Sequence, residues 1–371
     1  MKNSIGFNIQ FSNLWTHDSF PNCLAGVHAF FEGKGSDEPK YCNPNDENKR
    51  VCFGCGGCNN PEPASVYFCL FDTMCGRSAV RLRFDGAPTR MAEMIGDAKD
   101  WLGKCATDYT TDFLLGFAGY DYRKSENPAD FKNEIIASVD AGKPVIAECA
   151  ADNAGFRVVT GYDGDDVVCS HYVVDQGENK REMKTEVFTH DNFKALYIIA
   201  GKITPRYTVA DGLERIKRVM ENNLAEKVWD KGVGEITTTF VSSTDDEYRR
   251  MDPEVLKTLR NRIADTMINR FNNHTFSVPF FNCHEFGMRD PALAELWGKV
   301  DDCCGRIGGY DHTVPRFYGD DFSNLGPFRT GYGRMFLSAI EELNGIYAEI
   351  LELVNRAIEV LREKIQDRSQ T

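Results

Sequence analysis

A chain of 371 residues is longer than one hydrophobic core usually organises, which predicts two domains. Hydrophobic residues make up 42% and charged ones 27%, a globular composition that argues against disorder over most of the length. A formal charge of −13 leaves no clustered cationic excess for a nucleic-acid backbone. No apolar run approaches the roughly 20 residues of a membrane span. The polar start MKNSIGFNIQFSN lacks the apolar stretch of a signal peptide, so the expectation is a cytoplasmic protein with neither membrane nor nucleic-acid partners. Thirteen cysteines on such a chain read as thiols or metal ligands, not as a disulfide framework.

Near the N-terminus, a break at Pro21-Asn22 precedes a helix carrying Leu24, Val27, Phe30 and Phe31, with Asn22 as its cap. From Gly33 to Pro63 the chain is rich in Gly, Asn, Pro and Cys, without strand or helix period. Pro88 opens a helix through Met91, Met94, Ile95, Ala98 and Leu102. A second runs from Pro128 to Ala141 on Phe131, Ile135 and Val139, and ends at Gly142. Three strand-like runs follow, PVIAEC, FRVVTGY and DVVCSHYVVD, and Asp163-Gly164 marks a hairpin between the last two.

Strand character ends around Lys202 to Tyr207, and helical spacing begins with Val209, Leu213, Ile216, Met220 and Leu224. The predicted domains are therefore 1–204 and 205–371. Asp252-Pro253 opens a helix through Leu256, Leu259, Ile263 and Met267. The last helix, about Gly333 to Gln366, alternates steps of four and three through Phe336, Ile340, Leu343, Tyr347, Ile350, Val354, Ala357 and Leu361. That seam suits a coiled-coil dimer or a bundle within one chain, and the second long amphipathic helix favours the bundle.

Two constellations carry chemistry. Cys23 lies in the first turn of its predicted helix, where the helix dipole and unpaired N–H groups favour a thiolate and can hold an oxyanion. Cys42, Cys52, Cys55 and Cys58 form C-x9-C-x2-C-x2-C, and Gly54, Gly56 and Gly57 permit the tight turns that converge sulfurs on one ion. Four thiolates suit structural zinc, with an iron–sulfur cluster as the alternative. Weaker signals are Arg77, Arg81 and Arg83 as an anion-pairing cluster or solvated face; Asp163, Asp165 and Asp166 as turn residues; and Cys283-His284 and Cys303-Cys304 as core or loop.

The segment Pro21-Asn22-Cys23-Leu24-Ala25-Gly26-Val27, His17 six residues before Cys23, and Val158-Val159-Thr160-Gly161-Tyr162-Asp163-Gly164-Asp165 together resemble the papain-like cysteine-nucleophile superfamily. The pattern is nearest the bacteriocin-processing peptidase group and the N-terminal domain of butirosin biosynthesis protein H and its relatives. The resemblance covers roughly the first 200 residues and implies an α+β papain-like domain; with the cysteine spacing and the helical periodicity above, the expected architecture is that domain carrying an inserted cysteine knuckle, followed by an α-helical domain. The resemblance also implies acyl transfer or amide hydrolysis on a small-molecule or carrier-protein-bound acyl substrate, with Cys23 as nucleophile and His17 in the place of the oxyanion-hole Gln. The position six before Gly161, where the pattern carries the general-base His, is Gly155, followed by Phe156. His171 is then the base candidate. The alternative is a catalytically inactive papain-like binding or regulatory protein with a structural metal site.

Overall fold

The computed structural model describes residues 2–5, 9–10, 20–33, 63–76, 110–150, 155–175, 180–225, 291–313 and 332–369. The chain divides into two compact units: Met1–Cys75, Asp108–Gly212 and His274–Arg289 form the first, and Gly76–Thr107, Leu213–Asn273 and Asp290–Thr371 the second. The predicted helices over Met91–Leu102 and Leu256–Met267 lie outside the described residues.

The first unit is α+β. Its described strands are β1 (Lys2–Ser4), β2 (Ile9–Gln10), β3 (Tyr120–Ser125), β4 (Val145–Cys149), β5 (Phe156–Val159), β6 (Gly161–Asp163), β7 (Asp166–Asp175), β8 (Lys180–Thr189) and β9 (Phe193–Lys202). Its described helices are α1 (Phe20–Phe31), α2 (Pro63–Met74), α3 (Thr110–Phe117) and α4 (Pro128–Asp140). One sheet runs β3-β9-β4-β5, antiparallel throughout. In the other, β8 follows the whole length of β7. The opposite edge of β7 is shared by β6, itself paired to β1, and by the parallel β2.

The predicted runs form β4, β5 with β6, and β7, and the hairpin turns at Gly164-Asp165. FRVVTGY is divided between the sheets at Thr160. Its N–H donates to Val168 O at 2.9 Å, its carbonyl accepts from Ile5 N at 2.7 Å, and its Oγ1 accepts from Ser170 N at 2.8 Å. This threonine is buried with its polar groups satisfied, as burial requires.

α4 starts where Pro128 follows the cap Asn127, whose Oδ1 accepts from Ala129 N at 3.3 Å. Its buried stripe, Phe131, Ile135 and Val139, packs with Val145, Ala147, Val159, Leu196, Val167 and Cys169 in one core spanning both sheets. Burial pushes the Cys169 thiol far above its ordinary range.

The segment after β9 is held against the turn between α3 and β3. Ile203 N donates to Gly119 O at 2.8 Å and Arg206 N to Gly116 O at 2.9 Å. Gly119 has φ +73°, and a Cβ there would lie 2.8 Å from Ile203 O, so the approach needs glycine twice over. Asp112 collects the same segment: its Oδ1 accepts from Tyr122 Oη at 2.6 Å and from Arg206 Nη2 at 2.9 Å.

Helix α5 (Val209–Ala225) begins at Thr208, whose Oγ1 accepts from Asp211 N while Asp211 Oδ2 accepts from Thr208 N at 2.6 Å. The unit boundary falls inside this helix, between Gly212 and Leu213. The described part of the second unit is helical: the rest of α5, α6 (Pro291–Thr313) and α7 (Tyr332–Ser369). Of the predicted seam, Tyr347, Ile350, Val354 and Ala357 are fully buried, and Trp297, Val300 and Cys303 of α6 are buried as well. Arg306 of α6 pairs with Glu349 of α7 at 2.7 Å, and Arg362 of α7 with Glu214 of α5. Cys303-Cys304 is core, and burial beside Glu349 pushes the Cys303 thiol up to about 11.

Candidate functional site around Cys23

Helix α1 begins at Phe20, three residues before the Cys23 start that a cap at Asn22 predicts. Proline fits a first helical turn, so Pro21 lies inside the helix and Asn22 is its third residue instead of its cap. Cys23 is the fourth. Every residue from Phe20 to Ala29 is buried, which makes α1 a central helix and not an amphipathic surface one.

The start of α1 is packed by rings. Phe20 meets Phe156 of β5 and Tyr197 of β9 edge-on, at centroid separations of 5.2 and 5.3 Å, and Tyr197 lies 6.3 Å from Tyr122 of β3. Tyr197, Ile146, Val158, Glu148 and Phe156 share one sheet face by register, and α1 lies on it. Charged groups border these rings: Lys124 Nζ stands 5.9 Å from the Tyr197 centroid, and Glu148 pairs with Lys194 at 3.0 Å. Burial leads the rise of the Tyr197 phenol above its ordinary range.

The Cys23 side chain is 0% exposed. Gly155, six residues before Gly161, has φ +67°, and its carbonyl accepts from Cys149 N at 3.0 Å. This is the left-handed region, uncommon for residues with a Cβ. The next residue, Phe156, carries the ring that packs on Phe20.

His171 sits within β7, with Ile9 of β2 and Lys184 of β8 as register partners; its side chain lies outside the described residues. His17 lies outside them too, as do Cys42, Cys52, Cys55 and Cys58, Arg77, Arg81 and Arg83, and Cys283-His284. Among the described residues, no group of three or more His, Cys, Asp or Glu is placed to hold a metal ion. Of the aspartates expected in the turn, Asp165 is there and pairs with Lys132, whereas Asp163, paired with Lys2, ends β6 and faces Asp166 at the start of β7.

One buried polar group is not evident from the sequence. His28 of α1 is 4% exposed, with Nδ1 2.8 Å from Tyr120 Oη. Its ring meets Tyr67 and Phe71 of α2 edge-on, at 4.5 and 5.6 Å. Burial, with Tyr67 nearby, drives the Tyr120 phenol far above its ordinary range, so it stays protonated as a partner for the imidazole. The available signal was a single histidine within the otherwise apolar stretch Leu24 to Phe31.

No protein-family model matches the chain, and no curated protein matches it. Among the described residues, no helix is long and apolar enough to cross a membrane.

Proposed function

We propose that this chain is a papain-like scaffold used for binding or regulation, with Cys23 packed as a core residue. The observation that carries the reading is the backbone at Gly155. At the position where papain-like sequences of this pattern hold their base, φ is +67°, a conformation that glycine adopts freely and a residue with a Cβ adopts uncommonly. The buried thiol and the rings of Phe20, Phe156 and Tyr197 at the start of α1 support the same reading. A structural zinc site at Cys42, Cys52, Cys55 and Cys58 belongs to the proposal on the strength of their spacing, with an iron–sulfur cluster as its alternative.

A second reading, cysteine-dependent acyl transfer or amide hydrolysis on a small-molecule or carrier-bound acyl group, is favoured by the place of Cys23 in the first turn of α1. In it Cys23 attacks the acyl carbon, His17 donates to the oxyanion, and His171 takes the thiol proton.

Iodoacetamide labelling read residue by residue by mass spectrometry separates the two. The binding reading expects Cys23 to stay unmodified in the folded protein from mildly acid to mildly alkaline pH, and to react once denatured. Rapid labelling of folded protein, with a pH profile moved by His17→Ala or His171→Ala, would overturn it in favour of the enzyme.

A further inference from the structure

On the sheet face opposite α1, helix α4 and strands β3 and β9 leave a groove of ≈410 Å³. Its charged lining is balanced: Arg123 and Lys143 against Asp130 and Glu134. Its apolar lining, which includes Ala137 and Ile198, is small and aliphatic.

Two features of this lining call for a ligand with charges of both signs. Glu134 Oε1 accepts from Arg123 Nη1 at 2.5 Å, while Glu134 Oε2 is buried and receives no hydrogen bond from the described residues. A buried carboxylate oxygen without a donor is costly, so a turn of the Glu134 carboxylate that brings it to an incoming donor in the groove is favoured. Arg123 is 58% exposed and, among the described residues, donates only to Glu134. An ion pair so open is weakly held, and most of the guanidinium fork is available for a second carboxylate.

We propose that this groove binds a zwitterion of the α-amino-acid or short-peptide type. The ligand carboxylate pairs with Arg123 and Lys143, and its ammonium with Glu134 and Asp130, so the single Arg123–Glu134 pair gives way to complementary contacts at both ends. The volume lies near the low end for small-molecule sites, which selects a ligand of one or two residues, and the aliphatic lining selects a small side chain. The balanced lining disfavours polyanions and polycations alike. The site lies across the sheet from Cys23 and does not depend on whether that thiol reacts.

The test is a titration of the full chain with L-alanyl-L-alanine, followed by methyl NMR. Saturable shifts are expected at the Ala137 and Ile198 methyls. N-acetylated and C-amidated forms of the dipeptide should bind about tenfold more weakly or worse, as should Arg123→Gln and Glu134→Gln variants that keep the unliganded spectrum. Absence of saturable shifts, shifts confined to other methyls, or equal binding of the blocked dipeptides to the parent protein would overturn the proposal. The blocked ligands decide the matter even if a variant fails to fold.

Discussion

Phe20, which opens α1, meets Phe156, the first residue of β5, edge-on at 5.2 Å between ring centroids. The contact binds the start of the thiol-bearing helix to the residue that follows Gly155. On the binding reading, replacing Gly155 by His is not expected to create a catalytic pair. Gly155→His is expected to lose about 1–2 kcal/mol of stability, from a non-glycine residue at positive φ, and to leave Cys23 as unreactive as before. Thermal denaturation measures the first effect and iodoacetamide labelling the second; a gain in labelling of the folded variant would count for the enzyme.

Gly119→Ala should be more damaging than an ordinary surface substitution. Its φ of +73° disfavours a Cβ, and that atom would sit 2.8 Å from the Ile203 carbonyl oxygen. A loss exceeding about 1–2 kcal/mol is expected in urea unfolding, because backbone must move as well. A neutral result would mean that the segment from Ile203 to Arg206 is not held as described.

Asp112 gives a pH signature. Burial acts to raise its pKa, yet hydrogen bonds from Tyr122 and Arg206 outweigh it and hold the carboxyl below its ordinary 3.8. A depressed carboxyl contributes stability that is complete above the unfolded-state pKa and lost as pH falls through the folded one. Asp112→Asn should thus lower the urea midpoint at neutral pH, and the gap from the parent should close as pH falls below about 4. A gap constant down to strongly acid pH would remove the charge from this account.

In the second unit, Ile350 is fully buried on the α7 seam. Ile350→Ala should cost about 2–5 kcal/mol, read as a lower unfolding midpoint for the helical unit. A cost near zero would show that the seam is not packed.

Protein prepared anaerobically under reducing conditions should carry about one zinc per chain by elemental analysis, and lose it when Cys55 and Cys58 are replaced by Ser. A brown chromophore would replace zinc by an iron–sulfur cluster, and metal-free protein would eliminate the site.

The elements readable from sequence were those whose period or punctuation is local. α4 has a Pro at its start and a three-residue apolar stripe, β7 is dense in Val, and α7 repeats its seam over about seven turns. β8 reads KREMKTEVFT, and such charge is depleted in strands; its identity comes from register with β7 along ten residues. α2 hides for the opposite reason. Its described side chains, Ala64 and Tyr67 to Met74, are all buried, so no polar face marks a helical period in a segment rich in aromatic residues. At the candidate site, Cys23 and Gly155 were picked out by sequence pattern alone. That pattern carried no sign of the ring contacts from Phe20, whose partners lie more than a hundred residues away, and a glycine at 155 permits a positive φ without requiring one.

Thr160 joins β5 of one sheet to β6 of the other while its amide, carbonyl and hydroxyl engage Val168, Ile5 and Ser170. These bonds fix Thr160 to the β1-β6-β7 sheet, so the end of β5, one residue away along the chain, cannot move far from that sheet without breaking them. The amides of β5 and β7 should therefore exchange with solvent through one shared opening, with the hinge between the sheets as stiff as the strands it connects.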